Sequence, residues 1–371
     1  MCAHYALLLY ITTPFLATVM PEQYVGFVLS LGAAITLIVF PFVPRLVRIL
    51  GPRRLALWSL ALSSSLLLVL ALYPIVPIVI AIVALFLALA PITAYFLDLL
   101  LEAATEGEGQ TGRVRTVFMT FGNLAYIAGA FGVGLLLGEM NTYARVLYVA
   151  AVSLIPFFLL LLFVRIPDGK PPVFKHILEV AHCLIKDPDF RAVGLAYGTL
   201  QFFFCLVPYF TPLYLANVLN IPWSELGWIY ALTIIPFILL EYPAGYIADR
   251  YYGDKELMAI GFLIMGGATA AIAFTTAATS LVAIAAVLVV TRIGAAIADA
   301  MCETHFFRRV SDRDANTVGV FRMIRPVGAL LAPLTASLLL IVSNFNVMFF
   351  TVGCALIVVG VAASLSIKDI R

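Results

Sequence analysis

The stretch IVPIVIAIVALFLALAPITAYFLDLLLE, residues 75–102, decides the fold class of this protein. Residues 75–97 carry no charged side chain, and as a helix rising 1.5 Å per residue they would span about 35 Å. That length crosses the roughly 30 Å hydrocarbon core of a bilayer. The alternation of apolar and polar residues that a membrane barrel strand requires is absent from this stretch. The sequence therefore predicts a transmembrane α-helix here.

Apolar runs of this kind recur along the whole chain. Of its 371 residues, 63% are hydrophobic and 11% are charged, whereas a soluble domain carries about a quarter charged residues. A backbone in lipid must satisfy its own hydrogen bonds, so runs of this length form helices. The sequence therefore predicts an all-α membrane protein in a lipid bilayer, with twelve transmembrane helices. They cover 3–20, 23–50, 54–73, 75–102, 113–138, 142–165, 189–219, 223–250, 255–277, 279–305, 313–342 and 345–367.

The basic residues predict the orientation. Of the 22 Lys and Arg residues, 18 lie around the connections on one side of the membrane, Arg145 lies on the other side, and three fall inside predicted helices. Cytoplasmic loops favour Lys and Arg. We therefore expect a multi-pass protein of the cell (cytoplasmic) membrane with both termini in the cytoplasm.

The first apolar run is long enough to span, so a cleaved signal peptide is not expected. It has 12 residues before its Thr-Pro step, where the seventh helix has about 20. A short first helix and a missing start both fit this difference.

The two halves of the chain match at a constant offset of 201 residues. Prolines, glycines and a rare acidic pair recur at this offset: Pro21 with Pro222, Gly26 with Gly227, Asp98 with Asp299, and Glu102 with Glu303. Parallel repeats are typical of transporters whose two bundles are related by an axis along the membrane normal. We therefore predict two six-helix bundles with pseudo-twofold symmetry, 1–165 and 189–371, joined by a cytoplasmic linker at 166–188. The linker fits a short interfacial helix and a plain connection equally well.

The segment GYIADRYYGDKE, residues 245–256, follows the eighth predicted helix. It resembles the loop signature of the major facilitator superfamily (MFS), G-x-x-x-D-R/K-x-G-x-R/K-R/K, with spacing that is loose by one residue near Gly253. Glycine lets helices approach closely, and an aspartate at a helix end can pair with a basic group or a helix N-terminus. The resemblance implies an MFS-like fold and a gating contact that breaks when one face of the transporter opens. The matching residues are Gly245, Asp249, Arg250 and Lys255.

The first half carries a degenerate copy of this signature. At the same offset it reads PRLVRILGPRR, residues 44–54, and it keeps Gly51, Arg53 and Arg54. Pro44 and Arg48 stand where the signature has glycine and aspartate. The gating contact therefore need not be the same in the two halves.

Several ionisable residues fall inside the predicted helices. A charge within a span is costly and usually faces a cavity or a partner. Asp299 and Glu303 are four residues apart and share one helix face. A structural ion-pair network and a direct role in transport both remain open for the set. Its members are Asp98, Glu102, Glu241, Asp299, Glu303 and Arg322.

Arginines inside the second half have no counterparts in the first. A guanidinium stays charged and binds carboxylate or phosphate through two parallel hydrogen bonds. Arg292, nearest the membrane midplane, is the predicted anchor for an anionic or zwitterionic small-molecule substrate. The other candidate substrate-binding residues are Arg325, Gln201, Tyr197 and Tyr10.

The sequence lacks the common signatures of enzymes. It has no phosphate-binding loop, no serine-hydrolase elbow, no zinc-protease pattern and no dinucleotide fingerprint. Its five cysteines and four histidines show no metal-ligand spacing. We expect no enzyme activity, no cofactor, no metal and no nucleic-acid partner. The resemblance implies a secondary transporter that works as a monomer by alternating access, with protons as a candidate coupling ion. A non-transporting sensor or a lipid-handling scaffold is the alternative.

Overall fold

The computed structural model describes residues 1–105, 111–138, 142–163, 182, 186–247, 253–309 and 315–368, without the side chains of residues 102, 104, 105, 111–119, 241, 242, 244–247, 315 and 316. Within these ranges every regular element is a helix. Eleven helical stretches of this part of the chain are long and apolar enough to cross a membrane, and Cys2–Ala17 is a shorter apolar helix. The predicted all-α membrane class is confirmed, and the helix count is consistent with twelve spans.

Contacts within the chain define two compact units. Unit 1 comprises Met1–Val173 and Leu215–Ala231, and unit 2 comprises Phe174–Tyr214 and Leu232–Arg371. The segment Leu215–Ala231 therefore belongs with the first half, although the repeat assigns it to the second. The predicted linker lies mostly outside the described residues, so the division at 166–188 stays a prediction.

The first eight helices all belong to unit 1. Within it, α1 packs against α6 and α7, and α5 packs against α2 and α4. An apolar core joins α3, α4, α5 and α8. The helices are α1 (Cys2–Ala17), α2 (Val25–Val39), α3 (Val43–Leu50), α4 (Pro52–Leu72), α5 (Val76–Thr105), α6 (Thr111–Leu137), α7 (Tyr143–Ser153) and α8 (Ile155–Phe163).

The later helices form unit 2, apart from α10, of which all but the last residue lies in unit 1. Within unit 2, α12 packs against α13 and α16, and α9 packs against α13, α15 and α16. The helices are α9 (Pro188–Leu213), α10 (Trp223–Leu232), α11 (Ile235–Ile247), α12 (Asp254–Ile272), α13 (Leu281–Arg309), α14 (Ala315–Arg322), α15 (Ile324–Val342) and α16 (Phe345–Ser366).

Prolines lie at the breaks of four predicted spans, one of which, 23–50, is divided into α2 and α3 around Pro41. Pro156 lies at the start of α8, Pro236 at the start of α11, and Pro326 at the start of α15. Proline has no N–H for the carbonyl four residues earlier, and its ring clashes with that carbonyl. The sequence predicted continuous helices at 142–165, 223–250 and 313–342, and the structure divides each of them one to three residues before its proline.

Glycines set the close helix crossings of unit 2. A Cβ added at Gly261 of α12 would lie 2.8 Å from the backbone nitrogen of Ala298 on α13. A Cβ at Gly266 would lie 2.7 Å from the carbonyl oxygen of Gly353 on α16. In lipid, helices associate through this kind of small-residue contact, because the surrounding tails are as apolar as the side chains. The crossings fix which faces of α12, α13 and α16 meet.

Candidate functional site

Two helices of unit 2, α9 and α15, approach each other closely. A Cβ added at Gly328 of α15 would lie 3.0 Å from the Cβ of Gln201 on α9. Gly194 and Gly198, one turn apart on α9, both face Ile324, with Cβ distances of 3.6 and 3.4 Å to its side chain. The absence of side chains at these glycines lets the polar residues that flank them meet.

Three of the predicted substrate-binding residues come together at this crossing. Tyr197 and Gln201 are four residues apart and share one face of α9. The ring of Tyr197 stacks on that of Phe321, with 4.2 Å between centroids and 22° between planes. One turn along, Nε of Arg325 donates a hydrogen bond to Oε1 of Gln201 at 3.3 Å. The break before Pro326 places Arg325 in the first turn of α15.

The Gln201–Arg325 pair has more hydrogen-bond donors than acceptors. The Gln201 side chain is 2% exposed, and its amide Nε2 has no hydrogen-bond partner among the described residues. Arg325 as a whole residue is exposed, although its hydrogen bond to Gln201 is partly buried. The pair therefore presents donors from both side chains, while the only side-chain acceptor, Oε1 of Gln201, is already used.

Arg292 occupies a different environment. Its side chain on α13 is 7% exposed, and its guanidinium carbon lies 5.2 Å from the centroid of the Phe203 ring on α9. An arginine over an aromatic face is held by a cation–π interaction. Depth in the helix favoured Arg292 as the substrate anchor, but burial favours Arg325, which is the more exposed residue of the two. The role of both in binding stays a prediction.

Two residues of the predicted charge network lie near Arg325. The carboxylates of Asp299 and Glu303, both on α13, are within electrostatic range of its guanidinium. Asp299 is half-buried and Glu303 is exposed. Arg322 is exposed at the end of α14. The side chains of two further members lie outside the described residues: Glu102 and Glu241.

The remaining predicted residues, Tyr10 and Asp98, belong to unit 1. The ring of Tyr10 on α1 stacks on that of Tyr230 on α10, with 4.4 Å between centroids, and both rings are buried. Asp98 on α5 is exposed. The part of either residue in a binding site stays a prediction.

A buried charge cluster in unit 2 has Asp189 at its centre. This carboxylate, in the first turn of α9, is 0% exposed. Its Oδ2 lies 3.2 Å from Nε2 of His305 and 2.9 Å from Nη1 of Arg309. Its Oδ1 accepts a hydrogen bond from the backbone N–H of Lys368 at 2.6 Å. One carboxylate thus ties the start of α9 to the end of α13 and to the residues that follow α16.

Asp254 extends this cluster to α12. Its Oδ2 lies 3.5 Å from Nδ1 of His305 and 3.2 Å from Nη1 of Arg308. The imidazole therefore bridges two buried carboxylates, one at the start of α9 and one at the start of α12. Sequence analysis missed Asp189, Asp254 and His305, because each looks like an ordinary helix-end residue when viewed alone.

The fold and part of the sequence are similar to those of known proteins. Residues 193–371 match the sequence model described as Major Facilitator Superfamily. A mutant of the nucleoside transporter NupG matches the structure with a TM-score of 0.79 and 15% identity, over 99% of this chain and 98% of that chain. The second half of the chain is therefore similar in sequence to the Major Facilitator Superfamily, and the fold of the chain is similar to that of a nucleoside transporter.

The solved structure of a second transporter is also similar to this protein. A bacterial homologue of the iron transporter ferroportin, in its inward-facing state, matches with a TM-score of 0.77 and 13% identity, over 98% of this chain and 95% of that chain. No curated protein sequence matches this one. The sequence match in the second half and the likeness in fold agree with the family resemblance that the loop signature indicated.

The superfamily's loop signature can be examined at its glycines. Gly51 and Gly253 precede α4 and α12 with φ of 79° and 86°, a backbone conformation that residues with a Cβ rarely adopt. Both halves thus keep the glycine for the same turn, 202 residues apart (253 − 51). Gly245 lies within α11, and Lys255 within α12. Asp249 and Arg250 lie outside the described residues.

In the first half, the signature residue Arg53 caps a helix. Its Nε and Nη2 donate to the carbonyl oxygens of Leu161 and Leu162, both at 2.9 Å. These carbonyls belong to the last turn of α8, where a cation also complements the helix dipole. The neighbouring Arg54 is exposed. Within unit 1, Arg53 therefore ties the start of α4 to the end of α8.

Proposed function

We propose that this chain is a secondary active transporter that moves a small solute across the cell (cytoplasmic) membrane by alternating access. The observation that carries the proposal is the likeness to two transporters over nearly the full length of both chains, together with the family match in the second half. At 13–15% identity this likeness concerns the fold alone. The nucleoside and the iron named for those proteins are therefore not assigned to this one.

The charges of unit 2 support an anionic or zwitterionic solute and coupling to protons. Arg325 is an exposed, charged residue on a helix that belongs to a span. Asp299 and Glu303 lie within its electrostatic range, so their protonation would change how strongly Arg325 attracts an anion. Charged groups inside membrane spans often mark such substrate and proton pathways.

Transport is tested with the full chain, taken to be a monomer, reconstituted in proteoliposomes. A mixture of labelled amino acids, organic acids and nucleosides is offered with an imposed pH gradient. We expect at least one solute to enter faster than in protein-free liposomes, and its entry to slow when a protonophore collapses the gradient. Folded protein that moves no solute from this mixture would favour the alternative of a sensor or lipid-handling scaffold.

The loop signature supports a gate at the end of α11. Asp249→Ala is expected to slow uptake and to change the labelling of single cysteines introduced on the two faces of the membrane. Asp249→Glu, which keeps the charge, is the matched variant and should retain more of the uptake. Full uptake with unchanged labelling in Asp249→Ala would reduce the motif to a topological signal.

The proposed orientation has its own test. Reporter fusions after Lys170 and after Lys368 should both report the cytoplasm, because basic residues flank both sites. A periplasmic signal at either position would contradict the twelve-span orientation.

A further inference from the structure

The side-chain amide of Gln201 is a buried polar group in unit 2 with a hydrogen-bond donor that is unsatisfied in the described part of the chain. It is 2% exposed, and its Nε2 lacks a hydrogen-bond partner among the described residues. A buried donor without a partner destabilises a folded protein, and native structures contain few such groups. A ligand that supplies an acceptor would satisfy it.

The identity of the unsatisfied atom follows from its neighbour. Arginine has only donors, so the atom that receives Nε of Arg325 at 3.3 Å must be the amide oxygen. The nitrogen of Gln201 is then the free end. Arg325 is an exposed residue, and within the described part of the chain its one hydrogen bond uses Nε. Its terminal nitrogens keep four donors.

We infer that Gln201 and Arg325 form the subsite for the carboxylate of a monoanionic solute. The inference rests on the proposed transport function and names the substrate class of that site. An amide N–H and a guanidinium fork together match the two oxygens of a planar oxyanion. Their positions are fixed by the contact of Gly328 with Gln201 and by the stacking of Tyr197 on Phe321.

The surrounding charge selects the number of negative charges on the solute. The carboxylates of Asp299 and Glu303 lie within electrostatic range of Arg325 and already offset part of its positive charge. A second negative charge on the solute would meet these two acids, and like charges repel strongly where water is scarce. The subsite therefore favours a monocarboxylate over a dicarboxylate or phosphate.

The test measures thermal unfolding of the purified full chain in detergent. Sodium acetate, sodium succinate and sodium phosphate are each compared with sodium chloride at equal ionic strength. We expect acetate to raise the unfolding midpoint and succinate and phosphate to raise it less. Arg325→Gln should weaken acetate binding by at least about tenfold, because it removes a charge-assisted hydrogen bond. Arg322→Gln, an exposed arginine three residues earlier, should keep the acetate effect.

A second variant tests the subsite if Arg325→Gln fails to fold. Gln201→Glu keeps the shape of the side chain and gives Arg325 an internal anion, so the protein should fold and acetate should no longer raise the midpoint. The inference is overturned if acetate stabilises the wild type no more than chloride does, if phosphate stabilises it more than acetate does, or if Gln201→Glu retains the acetate effect.

The outcome separates the subsite from the transport function. Acetate stabilisation that depends on Arg325, in a chain that moves no solute, would retain the subsite and overturn transport. Uptake of an uncharged solute without any effect of acetate would retain transport and overturn the subsite.

Discussion

Replacing Asp189 by alanine removes the central acceptor of the buried charge cluster in unit 2. The carboxylate is 0% exposed and contacts His305, Arg309 and the backbone N–H of Lys368 at 3.2, 2.9 and 2.6 Å. Alanine would leave the imidazole and the guanidinium without this anion. It would also release the contact that holds the chain after α16.

The size of the effect follows from burial. Removing one partner of a buried ion pair costs about 3–5 kcal/mol. The side chain of Arg309 is 32% exposed, so water screens its attraction to Asp189. We therefore expect the free energy of unfolding to fall by about 3–4 kcal/mol. A domain of the size of unit 2 loses roughly 2–4 °C per kcal/mol, so the unfolding midpoint should fall by about 6–16 °C.

Asp187→Ala is the matched control. Asp187 is exposed and caps α9 by accepting from the backbone N–H of Asp189 at 2.9 Å, and the loss of such a cap costs about 1 kcal/mol. Unfolding is followed in detergent by labelling of Cys302, which is buried on α13, in a background where it is the only cysteine. If Asp189→Ala lowers the midpoint no more than Asp187→Ala, the cluster adds no net stability and the reasoning from burial is wrong.

Two further substitutions test contacts within unit 1. A Cβ at Gly134 would lie 2.8 Å from the carbonyl oxygen of Trp223 and 3.0 Å from the Cα of Gly227. Gly134→Ala should therefore cost about 1–3 kcal/mol by overpacking. Gly132→Ala, whose nearest contact would be an ordinary 3.5 Å, should be nearly neutral, and equal midpoints for the two variants would contradict the close crossing. Arg53→Ala should cost about 1–3 kcal/mol because two carbonyls of α8 lose their donor. Arg54→Ala, at an exposed side chain, should change stability by less than about 0.5 kcal/mol, and an equal loss in both arginine variants would refute the capping role.

Part of the candidate site was predictable from the sequence because charge inside an apolar span is rare. Arg325, Gln201 and Tyr197 were chosen on polarity and position, and the structure brings their side chains together. The ranking of the arginines was not predictable. Arg292 is deeper in its helix, but the structure packs it over Phe203, and only packing reveals which of the arginine residues is exposed.

The sequence by itself determined the helical membrane class and the positions of the spans. Long uncharged runs can satisfy their backbone hydrogen bonds in lipid only as helices. The sequence also explains the broken helices through its prolines. Pro326, for example, has no backbone N–H and cannot donate a hydrogen bond to the carbonyl of Arg322. The loop signature marked Gly51 by its position, but the turn there, with a φ of 79° that favours a residue without a Cβ, is seen only in the structure.

Only the tertiary structure decided which helix faces meet. A membrane helix is apolar toward lipid and apolar toward its neighbours, so its sequence carries little periodicity to reveal its rotation. For that reason Asp189 could not be paired from the sequence with His305, 116 residues away, nor Gln201 with Arg325, 124 residues away. Close crossings at small residues such as Gly328 set those rotations, and with them the groups that the site presents.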